Sequence, residues 1–407
     1  VSEKLTGSLL GWYAVSTAQA LRVDEIVYFS LFNEQLALFR DKSFEPKCIK
    51  DFCPHRGPSF RGGELIDGEI ICPYHGARFG KDIDSQGQRI TCQHIVDSSY
   101  DNYAKRIHLC QYPCIEKAGY IYVYYAGKAE KDLDDFEPIP GLDHLLPEAY
   151  GFQCSQYAYE EALLDFKCDW DRIIENHLDV LHIFWMHGKS LPGNDVNRDT
   201  LASFSQVFKK SRQSIQSKYA YKSDEGGEFI TQIFVPPGRI FMFRGSPDKA
   251  RYIQVLDHIP LAPNRARVIV RHYRCFLRNR FLSNLILFSH SQHRTFYRIF
   301  LEDYLVLQTQ SFSQQMGYMS NRNLRLLSED KMIQYFWDWH QRALSSEKPW
   351  TLHPVVENVN SVYSDIPMIY PPENQTMARC VEQKLRLMVL FRFFVLVLIG
   401  LLIVCLI

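Results

Sequence analysis

Two short runs in a chain of 407 residues carry donors suited to a metal centre: Cys53-Pro-His55 and Cys72-Pro-Tyr-His75, together C-x-H-x16-C-x2-H. Each run is closely followed by a glycine, Gly57 or Gly76. One thiolate and one imidazole in each of two matched loops is the donor set of a [2Fe–2S] cluster in which one iron takes Cys53 and Cys72 and the other takes His55 and His75. Neutral imidazoles in place of two thiolates raise the reduction potential above that of an all-cysteine cluster. Proline and glycine let both loops turn tightly, so that backbone N–H groups reach the cluster sulfurs. Zinc accepts the same donors, but zinc fingers usually pair Cys with Cys and His with His, which favours iron–sulfur here.

A second constellation lies downstream. Residues 175–187 contain N-x2-D-x2-H-x4-H, formed by Asn176, Asp179, His182 and His187. On a helix Asp179 and His182 share a face. His182 and His187 are about 140° apart on an ideal helix, so the helix must end or bulge between them if both are to face one ion. Two such histidines and one carboxylate would make a facial triad, which leaves adjacent positions on a ferrous ion open. Alone, the run is weak, because histidines on a half-buried helix are usually core or surface residues; its coincidence with the first site gives it weight.

The elements that must position these donors follow from patterning. The length suggests two folded domains with an appendage. From about residue 25 to 124, short β-rich runs alternate with turns: 26–31, 35–39, 69–71 and 120–124. An acidic, proline-bearing stretch, 130–147, follows as a linker. Beyond it, 163–187 is expected to be helical, then 215–221, 229–235, 239–243, 252–259 and 267–276 as antiparallel strands, then 285–316 and 329–344 as helices. That order predicts an α+β layer in which a sheet wraps a long helix. Zero formal net charge offers no basic field for nucleic acid. Eleven cysteines, an odd number without a secretory leader in the first residues, fit a reducing compartment. Outside the first site they are expected to be small buried hydrophobes.

The end of the chain changes character. Residues 393–407 are fifteen residues without a charge, and extension back to Leu387 gives a helix of about 31 Å, enough for a bilayer core of about 30 Å. The expectation is a single-pass C-terminal anchor, with Lys384, Arg386 and Arg392 keeping the catalytic domains on the cytoplasmic or stromal side.

Taken together, the two constellations resemble the Rieske non-haem iron oxygenases, in the oxygenase (alpha) component. Cys-Pro-His-Arg-Gly, Cys-Pro-Tyr-His-Gly and the hydrophobic C-terminus are most similar to the pheophorbide a oxygenase group, which includes chlorophyllide a oxygenase. Ala77 stands where that group commonly has Trp, and the C-terminal CxxC of its plant members is missing. The resemblance implies a Rieske domain over 11–129, a linker over 130–147, a helix-grip catalytic domain over 148–345, a loop over 346–384 and the anchor over 385–407. It implies Asp303 as the third ligand of the mononuclear iron beside His182 and His187, with Glu302 its nearest competitor. It also implies a homotrimer in which Asp179 links a Rieske histidine, His75, to His182 of a neighbouring subunit, with Asn176 and His177 in supporting positions. O2 would be the oxidant. No G-x-G-x-x-G run opens a helix, so electrons are expected from a separate ferredoxin or reductase. The expected reaction is hydroxylation of a bulky hydrophobic molecule, a chlorophyll-derived tetrapyrrole foremost and a sterol or other small molecule next; a membrane-anchored electron carrier is the non-catalytic alternative.

Overall fold

The computed structural model describes residues 9–81, 90–94, 107–127, 141–153, 157–187, 205–211, 214–220, 230–245, 250–275, 289–318 and 330–346. The expected anchor and the loop before it lie outside the described residues; among these no helix is long and apolar enough to cross a membrane.

The first domain is built from β1 (Gly11–Thr17), β2 (Val27–Leu31), β3 (Glu34–Arg40), β4 (Pro46–Lys50), β5 (Glu64–Ile66), β6 (Glu69–Ile71), β7 (Arg78–Lys81), β8 (Ile90–His94), β9 (Gln111–Tyr112), β10 (Cys114–Lys117) and β11 (Tyr120–Tyr125). They form three antiparallel sheets, ordered β1-β11-β10, β2-β3-β4-β9 and β5-β6-β7-β8. The expected segment 130–147 is described only from Gly141, where two short turns of 3-10 helix bury Leu142 and Leu145 against the core.

The second domain is a seven-stranded antiparallel sheet, ordered β12-β18-β17-β16-β15-β14-β13. Its strands are β12 (Ala158–Phe166), β13 (Ser205–Lys210), β14 (Ile215–Ala220), β15 (Ile230–Val235), β16 (Arg239–Arg244), β17 (Tyr252–Ala262) and β18 (Arg265–Arg274). Among the described residues four helices accompany it: α1 (Trp170–Leu178), α2 (Leu181–Met186), α3 (Ser289–Gln315) and α4 (Lys331–Ser346).

One expectation is corrected. The helix expected over 163–187 begins as strand: β12 runs through Leu163 and Leu164 and pairs along its whole length with β18. Its Ala, Glu and Leu favour helix locally, but cross-strand charge pairs override them. Asp165 meets Arg267 at 2.6 Å, Glu161 meets Arg271 at 2.8 Å, and Glu160 pairs with Arg274. Among the described residues α1 packs on β17 and β18, α4 on β14 and α3 on α1, and Phe166 of β12 faces Phe300 and Tyr304 of α3.

The hydrophobic core ignores the domain boundary. One continuous cluster runs from Tyr13, Phe32 and Tyr122 of the first domain to Phe234, Val255 and Trp339 of the second. A smaller one, with Phe39, Ile49, Phe60, Ile70 and Phe79, encloses Cys53 and Cys72.

Candidate metal centres

The two loops of the first site are backbone copies of each other. The Cys53 carbonyl accepts the N–H of Gly57 at 2.7 Å, and the Cys53 N–H donates to Pro58 at 2.7 Å. In the other loop Gly76 donates to Cys72 at 3.0 Å and Cys72 to Ala77 at 2.9 Å. Gly57 and Gly76 close these turns at φ +86° and +64° with nothing crowding the Cβ position, so the requirement is conformational rather than steric. Both thiols are buried at the floor and both imidazoles stand half-exposed above, ring centroids 4.9 Å apart. Tyr74, 59% exposed, lies 3.8 Å from the His75 ring and forms the outer rim. Burial pushes the Cys53 thiol up to about 12, so a cation must displace its proton, whereas burial and the neighbouring His75 hold His55 in the neutral form that binds metal. Two thiols sheltered in the core and two imidazoles at the rim fit a [2Fe–2S] cluster ligated by sulfur on one iron and nitrogen on the other.

The second site sits where α1 stops. Asp179 leaves helical geometry, with φ −73° and ψ 119°. Its Oδ1 then accepts the backbone N–H groups of Leu181 at 2.8 Å and His182 at 3.4 Å, which starts α2. α2 lasts only to Met186, and His187 follows at φ −100° and ψ 5°. The end of α2 after Met186 lets the two rings come to 5.3 Å between centroids. Asp303, from the middle of α3, completes the group: one ligand atom from each of His182, His187 and Asp303 lies within 4.8 Å of the others.

The nitrogens sort themselves. Nε2 of His187 and Nε2 of His182 both face Asp303 Oδ1, at 3.0 and 3.6 Å. Nδ1 of His187 is held by Glu302 at 2.8 Å, and Nδ1 of His182 lies 3.6 Å from Asp179 Oδ2. Each ring therefore turns one nitrogen to a common point and the other to a carboxylate, the arrangement that fixes imidazole orientation around a metal. Burial opposes charge on His187, but Asp303 and Glu302 outweigh it and raise its pKa. Burial likewise opposes charge on Asp179, yet His182 and the two backbone N–H groups hold its carboxyl below the usual range. Asn176 donates its Nδ2 to Asp303 Oδ1 at 3.4 Å. A hard carboxylate and two oriented imidazoles suit ferrous iron.

Sequence reasoning placed Glu302 as a competitor of Asp303; the structure gives it the other face of His187 instead. His258, which contacts His177 from β17, carried no signal in the sequence. Among the described residues His75 and Asp179 share no hydrogen bond or ion pair within the single chain.

A β-domain with paired Cys/His loops, joined to an α+β domain whose two histidines and one aspartate converge, defines the class of oxygenases with two iron centres. Comparison with known proteins gives the family. The profile of the Rieske [2Fe-2S] domain matches residues 11–99, and that of the vanillate O-demethylase oxygenase C-terminal domain matches residues 166–332. The two matches take in more than half of the chain, which belongs to the Rieske oxygenases. Relatives include chlorophyllide a oxygenase of Chlamydomonas reinhardtii, 30% identical over 177 residues, which are 43% of this chain and 24% of that protein. The vanillate O-demethylase oxygenase subunit of Pseudomonas sp. (strain HR199 / DSM 7063) is 27% identical over 189 residues, 46% of this chain and 47% of that one. The chain thus spans less than half the length of these curated relatives. Dicamba monooxygenase bound to dicamba has the same fold, with a TM-score of 0.61 over 84% of this chain and 99% of that one at 15% identity.

Proposed function

We propose that this chain is the oxygenase component of a monooxygenase that hydroxylates a bulky hydrophobic substrate with O2, using electrons from a separate ferredoxin or reductase. The observation that carries the proposal is the convergence of His182, His187 and Asp303 in a chain that also presents Cys53, His55, Cys72 and His75 on two matched loops. When bound, the cluster supplies one-electron transfer and the mononuclear iron supplies oxygen activation.

The chain's own groups do the rest. Glu302 and Asp179 hold the Nδ1 sides of the histidines, so that both Nε2 atoms stay turned to Asp303. Asn176 fixes one oxygen of Asp303. Burial of His187 and Asp303, each 2% exposed, keeps bulk water from the site. In a ring of three chains, Asp179 would join His182 to the His75 of a neighbouring copy. A tetrapyrrole is the substrate class favoured by the chlorophyllide a oxygenase relatives, and a membrane anchor at residues 385–407 would hold the site beside lipid-dissolved molecules.

Metal analysis of the purified protein tests the core of this proposal. About three irons per chain are expected; about two would leave an electron carrier, and zinc without iron would leave neither. Incubation of the reduced protein with chlorophyll derivatives, with and without the central magnesium, and O2 tests the substrate; finding neither binding nor product would remove the tetrapyrrole.

A further inference from the structure

A pair of histidines beneath α1 takes no part in the proposed centre. His177 on α1 and His258 on β17 are both buried, with His177 Nδ1 2.7 Å from His258 Nε2. The other nitrogen of His258, Nδ1, lies 2.7 Å from the carbonyl oxygen of Gly238. Burial holds both rings below the ordinary imidazole range, His258 at about 4, so each is neutral near pH 7 and carries a single ring N–H. A carbonyl can only accept. His258 therefore keeps its hydrogen on Nδ1 and offers a lone pair at Nε2. His177 must donate from Nδ1, which leaves its own Nε2 as a bare acceptor. That nitrogen is buried and meets no hydrogen-bond partner among the described residues, a costly state unless something else donates to it.

The ring reaches from α1 to β17 and α3. Phe300, one turn before Asp303 on α3, is 5.9 Å from it between centroids. His182 and His187 are close enough to act on it electrostatically. It is nevertheless outside the group of three donors that converge.

We infer that His177 Nε2 is the hydrogen-bond acceptor that positions the substrate, and that the substrate carries an O–H or N–H group on an otherwise apolar body. The inference rests on the oxygenase proposal for the presence of a substrate, not for the chemistry of the acceptor. A built acceptor discriminates strongly: a molecule offering only lone pairs leaves Nε2 unpaired and adds repulsion.

Calorimetric titration of the metal-loaded full chain with cyclohexanol and with cyclohexanone compares a donor and an acceptor on rings of one size. The alcohol is expected to bind about tenfold more tightly. In His177→Leu the two affinities become equal with that for the ketone unchanged, while in His177→Gln, whose side-chain oxygen can stand in for Nε2, the preference survives. Equal binding in the unaltered protein, binding of neither ring, or a preference that persists in His177→Leu overturns the inference. The unaltered protein decides even if both variants fail to fold. No arm depends on turnover: a protein lacking the mononuclear iron would defeat the oxygenase proposal and leave the alcohol preference standing.

Discussion

At the scale of single residues, the second site is a matter of which nitrogen faces which oxygen. Asp303 stands opposite both Nε2 atoms, and Glu302 holds only the far side of His187. Asp303→Ala should therefore lower the iron content from about three to about two per chain while the visible spectrum of the cluster stays intact. Glu302→Ala keeps the three donors but frees the ring, and should cost roughly 10–100-fold in affinity for the mononuclear iron, measured by metal competition. An equal loss of iron in both variants would mean that Glu302 is itself a ligand. His258 contributes a pH dependence. Its folded pKa of about 4 lies below the ordinary 6.5, so the unfolded chain takes up the proton first. The associated stability is complete above pH 6.5 and declines by about 3 kcal/mol as pH falls to 4. Denaturant melts at pH 7 and 4.5 should show a smaller difference in His258→Asn than in the unaltered chain.

At the scale of elements, the sequence was most legible where chemistry constrains spacing. The five-residue gap between His182 and His187 already demanded that the helix end or bulge between them, and α2 does end at Met186, leaving His187 outside helical geometry. The five central strands were visible because they are short runs rich in β-branched and aromatic residues. β12 was not, since Glu160, Glu161 and Asp165 look like a helix face until Arg267, Arg271 and Arg274 are set beside them. A partner about a hundred residues away leaves no local trace. Gly238 is a related case: a Cβ there would come within 2.7 Å of the His258 carbonyl oxygen on the next strand. Gly238→Ala should push β16 from β17 and lower stability by roughly 1–3 kcal/mol, read from chemical denaturation. A neutral result would show that the strand edge yields freely.

At the scale of the whole molecule, two buried arginines stitch the domains together. Arg239 of the sheet makes a bidentate pair with Asp257 at 2.6 and 2.8 Å and donates to Tyr122 of the first domain and to the Leu145 carbonyl. Arg271 stacks 3.5 Å from the Tyr120 ring and donates to the carbonyls of Ala118 and Gly119. The β2–β3 turn adds two backbone bonds, from Phe32 to Pro260 at 2.7 Å and from Asn33 to Leu261 at 2.8 Å. Arg239→Ala strands the Asp257 carboxylate in the core and should cost roughly 3–5 kcal/mol, and the first domain should then melt ahead of the second instead of with it. Calorimetry separates the two transitions; a single undivided peak would contradict that. None of these stitches could be read from spacing, because each joins residues brought together only by the finished fold. Their effect is mechanical. An iron–sulfur carrier on a loose tether delivers charge at the pace of its own swinging, whereas the β-domain here is riveted to the sheet beside it, so that in the proposed oxygenase the place of the cluster relative to that sheet would be settled when the chain folds, and the timing would be left to chemistry.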